Sequence, residues 1–147
     1  MLFRSEGVTA MTDVTGFGLL GHLIEMVEGS GCSAEINYSS LPVADGVKEY
    51  LAQRIVPDAT YRNWNSYSTK TAFEKARPDD PFGRGVNVME AFNLLPDPQT
   101  NGGLLIAVDE NAVEEVKNLL KANGLENFAE PIGMFTAAAE KTILVKP

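Results

Sequence analysis

The stretch Thr12–His22, TDVTGFGLLGH, constrains the fold of this chain more than any other short segment. It places Gly16, Gly18 and Gly21 within six residues and then continues into an apolar sequence. A glycine inside a helix costs about 1 kcal/mol relative to alanine, so such a cluster needs a packing or ligand-binding reason. The segment therefore predicts a tight turn with close backbone contacts, followed directly by a helix.

Asp13 is the one carboxylate of this stretch, and the residues leave two interpretations of it open. An aspartate just before a helix is a common N-cap, because its side chain accepts hydrogen bonds from the first free N–H groups. Mg²⁺ is usually bound by one or two protein carboxylates together with phosphate oxygens and waters, and the helix dipole favours negative charge at the same place. Asp13 is either a cap or a ligand of a magnesium and phosphate site.

A second glycine-rich segment, DPQTNGG, covers Asp97–Gly103 and lies directly before an apolar run. Pro, Asn and Gly all favour turns, so the segment reads equally well as a plain turn or as a loop whose N–H groups and Thr100 hydroxyl face a ligand. The chain has no GxxxxGK[ST] phosphate loop, and it has no clean GxGxxG after a predicted strand, because residues 1–11 ahead of GFGLLG are interpreted as an arm. An independent nucleotide site is therefore not evident from motifs alone.

Hydrophobic periodicity predicts the elements around these two segments. Apolar residues at helical spacing from Phe17 to Val27 predict a helix that Gly29 or Gly31 can end. Alternation predicts a half-buried strand near residues 33–38. Further predicted elements are short helices at 45–53 and 88–95, a strand over LLIAV, a helix over VEEVKNLLKA capped by Asp109 or Asn111 and closed by Gly124, and strands near 131–134 and 142–145.

Residues 58–87 are rich in Asn, Ser, Pro, Gly and Asp, which predicts loops and a mobile stretch. Residues 1–11 are interpreted as an arm ahead of a single domain over residues 12–147, since no repeat or linker divides the rest. Helices and strands alternate through both local and crossover connections. This order predicts an α+β fold with helices packed on a mixed sheet.

Composition argues against several classes of function. Twenty acidic and twelve basic residues give a formal charge of −8, which disfavours nucleic acid as a partner but leaves small anions that bring Mg²⁺. The single cysteine, Cys32, excludes an internal disulfide and a cysteine-based zinc site. No apolar run reaches the roughly 20 residues that span a bilayer, and no signal peptide is recognised, so we expect a cytoplasmic protein without membrane contact.

Three segments taken together resemble a known family. They are MTDVTGFGLLGHLIEM at residues 11–26, LPVADGVKEYLAQRIVPDATYRNWNSY at 41–67 and LLPDPQTNGGLLIAV at 94–108. Their order and separation resemble the C-terminal domain of selenophosphate synthetase (selenide, water dikinase), in the aminoimidazole ribonucleotide synthetase-related superfamily. The resemblance covers nearly all of residues 8–147.

The resemblance implies an activity in which ATP, selenide and water give selenophosphate, AMP and phosphate, with Mg²⁺ as cofactor. In the full-length family the N-terminal domain supplies the reactive Cys or selenocysteine, a catalytic Lys and several Mg²⁺-binding Asp residues, and forms much of the dimer. This chain has no counterpart of the Cys–Lys segment, and Cys32 does not match it. We therefore expect no catalytic residue here and an inactive isolated chain, and a homodimer stays open.

The resemblance also implies which residues line the site. The family's metal-binding aspartate matches Asp13, which would be a Mg²⁺ ligand that neutralises phosphate charge. Further residues are implied to contact the nucleotide or its phosphates: Thr12, Thr15, Gly16, Thr60, Asn63, Thr100 and Gly102. Two departures stand out, since Asp58 and Ala59 replace a glycine pair and Asn101 replaces the usual serine.

The remaining candidate residues have less specific patterns. His22, the single histidine, is predicted on the polar side of its helix with a surface or edge role rather than as a catalytic base. Cys32 is predicted to pack as a small apolar group. Tyr61, Trp64 and Tyr67 could stack on a purine, but packing over the core is favoured.

Two other hypotheses remain. A sibling enzyme of the same superfamily, such as thiamine monophosphate kinase or a hydrogenase maturation factor, shares the expected fold. The pairing of TDVTGFGLLGH with DPQTNGG favours the selenium enzyme over the kinase. A non-catalytic binding or assembly module with this fold is the third hypothesis.

Overall fold

The computed structural model describes residues 6–74 and 85–147. Helices and strands alternate along these residues, which confirms the predicted α+β class. The strands are β1 (Val8–Asp13), β2 (Ser33–Asn37), β3 (Thr71–Phe73), β4 (Leu104–Val108), β5 (Gly133–Thr136) and β6 (Ile143–Lys146). The α-helices are α1 (Gly18–Ser30), α2 (Val47–Ala52), α3 (Asp58–Tyr67), α4 (Val88–Leu94) and α5 (Val113–Ala122).

The strands form two sheets. One is a mixed sheet in the order β3-β6-β2-β5, in which β6 is parallel to both neighbours and β5 is antiparallel to β2. The other is an antiparallel ribbon of β1 and β4, with Asp13 opposite Leu104 at one end and Val8 opposite Val108 at the other. The ribbon brings the two glycine-rich segments together, because one follows β1 and the other precedes β4.

Helix α1 joins the ribbon to the mixed sheet and forms the centre of the core. Leu20, Ile24 and Val27 are fully buried, and their spacing places them on one helix face. They belong to a cluster that includes Ile143 and Val145 of β6. Burying each such side chain contributes about 1.5–3 kcal/mol. The helix ends where the sequence predicts, at Gly31 with a φ of +66°.

The prediction of loops over residues 58–87 is wrong for its first part. Helix α3 begins at Asp58, and β3 ends at Phe73. Composition was misleading here because Thr60 and Asn63 are buried polar residues with tertiary hydrogen-bond partners rather than turn formers. Residues 75–84 of that prediction lie outside the described residues.

The aromatic side chains of α3 pack on the core. The ring centroid of Trp64 lies 4.8 Å from that of Phe92 and 5.9 Å from that of Phe73. Tyr67 is half-buried against the same cluster. Tyr61 is exposed, and its ring centroid lies 6.1 Å from that of Phe92. These contacts give α3 an apolar face that composition alone did not reveal.

Three further outcomes concern element ends. Strand β1 begins at Val8, so residues 8–11 of the predicted arm lie in the ribbon. The predicted cap of α5 is wrong, because Ala112 occupies the N-cap position without a side-chain bond and a short 3-10 turn precedes it. Gly124 does follow α5 in the left-handed region, with a φ of +73°.

Within the described ranges no helix is long and apolar enough to cross a membrane.

Gly18 tests the close approach that the glycine cluster predicts. Its φ is +67°, and an added Cβ would lie 2.6 Å from the carbonyl carbon of Pro96 and 2.8 Å from the carbonyl oxygen of Asp97. We expect Gly18→Ala to lower the free energy of unfolding by roughly 1–3 kcal/mol, because backbone strain and a backbone clash combine. Urea denaturation followed by circular dichroism measures the change.

The matched control is Gly29→Ala in the same helix. Apart from the neighbouring residues and the helix's own backbone, no atom lies within 4 Å of the added Cβ at Gly29, so this substitution is expected to raise the free energy of unfolding by up to about 1 kcal/mol. Equal effects of the two substitutions would contradict a specific backbone contact at Gly18.

Candidate functional site

Two loops meet at one end of the ribbon. The β1–α1 loop (residues 14–17) and the α4–β4 loop (residues 95–103) are joined by backbone hydrogen bonds. Val14 N–H donates to Gly103 O at 2.9 Å, and Gly102 N–H donates back to Val14 O at 3.0 Å. Gln99 N–H donates to Thr15 O, also at 3.0 Å. The two glycine-rich segments of the sequence therefore form one structural unit.

Side chains of helix α3 form hydrogen bonds to both loops. The Nδ2 amide of Asn63 donates to Gly16 O and to Pro96 O, each at 2.9 Å. Thr60 Oγ1 donates to Asp97 Oδ1 at 3.2 Å. Thr60 is fully buried and Asn63 is 9% exposed. Two polar side chains, one helical turn apart, thus supply the donors that these loops need.

Asp97 faces inward, towards α3. Its second carboxylate oxygen accepts a hydrogen bond from Gln99 Nε2 at 2.7 Å. Burial raises the pKa of Asp97 above its usual range, while the bonds from Thr60 and Gln99 act in the opposite direction. Both carboxylate oxygens of Asp97 accept hydrogen bonds from side chains of this chain. Asp97 therefore stabilises the junction between the α4–β4 loop and helix α3 and is not available to bind a ligand.

Asp13 occupies a different environment. It is the last residue of β1 and is exposed, and its side chain has no hydrogen bond within the part of the chain that the structure describes. Helix α1 begins at Gly18, with Phe17 at the N-cap and no capping side chain. The structure therefore removes the cap interpretation. Asp13 instead presents a free carboxylate beside the joined loops.

The eight residues predicted for the site fall into two groups. One group lies on the end of the ribbon and its two loops: Thr12, Asp13, Thr15, Gly16, Thr100 and Gly102. The other group, Thr60 and Asn63, lies buried behind the loops, with both side chains bonded internally. The structure thus brings all eight to one region, but only the first group borders solvent there.

The end of the ribbon offers Mg²⁺ one carboxylate ligand, Asp13. No group of three or more His, Cys, Asp or Glu side chains that could hold a metal occurs in residues 6–74 and 85–147. Of the two aspartates beside these loops, Asp97 has both carboxylate oxygens hydrogen-bonded inside the chain, which leaves Asp13 as a single exposed carboxylate. That is compatible with the usual binding of Mg²⁺, in which phosphates and waters provide most of the ligands.

The surface prediction for His22 is wrong. The residue is 7% exposed, and its Nε2 lies 3.1 Å from both the backbone nitrogen and the Oγ1 of Thr15. Helical periodicity placed His22 on a polar face, but the β1–α1 loop folds back over that face in the first turn. The Phe17 ring packs beside it, with centroids 5.7 Å apart.

A cleft of about 330 Å³ runs between β1 and α1, with Thr12, His22 and Glu25 among its lining residues. Asp13 and the α4–β4 loop do not line it. The cleft and the exposed end of the ribbon are therefore neighbouring but separate features. Cys32, half-buried at the start of β2, lies in neither.

Asn63 tests the junction between the loops. Asn63→Asp removes both donated hydrogen bonds and sets a carboxylate against two carbonyl oxygens. We expect the free energy of unfolding to fall by roughly 2–4 kcal/mol. The matched control, Asn65→Asp, changes an exposed residue of the same helix and is expected to stay within about 0.5 kcal/mol. Similar losses for both variants in urea denaturation would contradict the role of Asn63.

Asp97 gives a pH-dependent test. Because its pKa is raised in the fold, the folded protein binds this proton more tightly than the unfolded chain does. The stability of the native protein relative to Asp97→Asn should therefore fall as the pH rises above about 4, the usual aspartate value. Urea unfolding between pH 4 and pH 7 measures this difference. A difference that grows with pH would show that the ionised carboxylate is the favoured form.

The chain is similar to a described family and to named relatives. The family described as AIR synthase related protein, C-terminal domain, matches residues 1–146. The selenide, water dikinase of Haemophilus influenzae is 43% identical over 141 residues, covering 96% of this chain and 36% of the relative. That of Bordetella bronchiseptica is 47% identical over 131 residues, covering 89% and 34%. The chain spans about a third of the length of these relatives.

A solved structure shows the same fold. The crystal structure of Escherichia coli HypE, a hydrogenase maturation protein, matches with a TM-score of 0.61 and 25% identity, covering 97% of this chain and 33% of that one. Since the family match extends over almost the entire sequence, this chain belongs to the AIR synthase related protein, C-terminal domain family.

Proposed function

We propose that this chain is the C-terminal domain portion of a selenide, water dikinase and contributes one wall of its Mg²⁺-ATP site. The observation that carries the proposal is the identity of 41–47% over 88–96% of the chain with proteins of that name. In the proposed reaction ATP, selenide and water yield selenophosphate, AMP and phosphate. We place the protein in the cytoplasm, where its substrates are ATP and a selenide-derived small molecule.

Asp13 is the metal-binding residue of the proposal. Its exposed carboxylate at the end of β1 lacks an internal partner in the described structure, so it would be available to hold the Mg²⁺ of a Mg²⁺-ATP complex. Positioning and charge neutralisation are the main tasks of a protein in phosphoryl transfer. One carboxylate does not complete the site, and the proposal assigns the remaining metal ligands and the nucleophile to parts of the relatives that this chain does not span.

The other predicted site residues divide by their contacts. Thr12, Gly16 and Thr100 lie on the same end of the ribbon and its loops as Asp13 and are proposed to face the phosphates through hydroxyl or backbone N–H groups. Gly102, whose own N–H donates to Val14 O, is proposed to allow a close approach of the phosphates because it has no side chain. Thr60 and Asn63 are proposed to act from behind, because their polar atoms already bond both loops. This division explains why buried polar residues on α3 matter to an exposed site.

A role in hydrogenase maturation is the second candidate. It is supported by the fold likeness to HypE, at a TM-score of 0.61. The lower identity of 25% to that protein, against 43% to the Haemophilus influenzae kinase, favours the first proposal. A non-catalytic module and a homodimer both remain compatible with this fold.

A chimeric enzyme tests the proposed function. The matched 36% of the Haemophilus influenzae relative is replaced by this chain, and selenide-dependent release of AMP from ATP is measured. We expect the chimera that carries this chain without a substitution to be active. Asp13→Asn should lower kcat/KM by about 100-fold or more, because it removes a charged metal ligand.

Asp109→Asn is the matched control. Asp109 is also exposed, but its N–H bonds Gly7 O at the opposite end of the ribbon, roughly 16 Å from Asp13 along the strand. The chimera with Asp109→Asn should retain full activity. A folded but inactive native chimera, or equal losses for the two variants, would overturn the proposal.

A further inference from the structure

His22 makes a specific bond to the β1–α1 loop. Its Nε2 lies 3.1 Å from the backbone nitrogen of Thr15. A backbone N–H can only donate, so Nε2 must be the acceptor and carry no proton. A neutral ring that accepts at Nε2 holds its proton on Nδ1. The contact therefore defines both the tautomer and the orientation of the imidazole.

The opposite side of the ring faces Glu25. Nδ1 lies 3.6 Å from Glu25 Oε2, one helical turn along α1, and this distance exceeds that of a hydrogen bond. Nδ1 is fully buried and lacks a hydrogen-bond partner among the residues that the structure describes. Buried donors are rarely left without a partner. Glu25, whose side chain is 62% exposed, is the carboxylate beside this nitrogen.

Thr15 is where the bonds of the two loops converge. Its carbonyl oxygen accepts from Gly18 N–H at 3.0 Å and from Gln99 N–H at 3.0 Å. Its N–H and hydroxyl both lie against His22. Asp13, whose carboxylate is the proposed metal ligand, is two residues earlier in the chain. Thr15 is therefore connected to Asp13 through the chain and to the α4–β4 loop through the Gln99 N–H.

We propose that His22 is a positioning residue, which holds the Thr15 amide and so fixes the β1–α1 loop in the conformation that Mg²⁺-ATP requires. The proposal rests on the proposed function for its link to ATP. The hydrogen bond itself is independent of that function. His22 does not touch the reacting atoms, and its effect passes through Thr15.

Amide hydrogen exchange tests the bond in the chain itself. His22→Leu removes the acceptor and leaves the Thr15 N–H without a partner, so Thr15 exchange should be about tenfold faster or more. His22→Gln restores an acceptor, because the glutamine Oε1 can reach the position of Nε2, and should return exchange towards the native rate. The Ala34 amide, which bonds Thr142 O in the mixed sheet, reports any general loss of stability.

The chimeric enzyme tests the link to ATP. We expect His22→Leu to raise KM for Mg²⁺-ATP about tenfold with a smaller change in kcat, and His22→Gln to recover most of the loss. A purely structural role would lower the amount of folded enzyme without moving KM.

The outcomes separate the two proposals. Unchanged Thr15 exchange in His22→Leu would overturn the role of His22, as would faster exchange with an unchanged KM. An inactive native chimera would overturn the proposed function, and Thr15 exchange would then still decide whether His22 holds the loop.

Discussion

The side-chain amide of Asn63 is the contact on which the geometry of the candidate site depends. It donates to one carbonyl in each loop, Gly16 O and Pro96 O, both at 2.9 Å. Neither loop belongs to the mixed sheet, and the ribbon beside them has only two strands, which are marginal without packing partners. Because α3 packs on α1 and carries Asn63 and Thr60, the helical core fixes the loops and, through them, Asp13.

Elements with strong apolar spacing were predictable from the sequence, and α3 was not. Helix α1 and strand β2 bury their faces on the shared core, so burial and periodicity agree. Helix α3 carries Asn, Ser and Thr, which favour turns in isolation. Two of these side chains form tertiary bonds with loops more than thirty residues away in sequence. The composition of a short segment does not indicate hydrogen-bond partners that are distant in sequence.

Close backbone contact at the candidate site was predictable from the sequence, but the organisation of the side chains around it was not. The glycine clusters of the two segments indicated close backbone contact, and the structure joins them through Val14, Gly102 and Gly103. The burial of His22 could not be foreseen, because helical periodicity describes a helix alone and not the loop that covers it. The inward orientation of Asp97 likewise depends on Thr60 and Gln99, which approach it only in the fold.

A crystal structure of the chimeric enzyme with Mg²⁺ and a non-hydrolysable ATP analogue would test the central claim most directly. The account predicts an oxygen of the Asp13 carboxylate about 2.1 Å from a Mg²⁺ that also binds phosphate oxygens. A metal and nucleotide bound entirely by other side chains, with Asp13 facing bulk solvent, would contradict it.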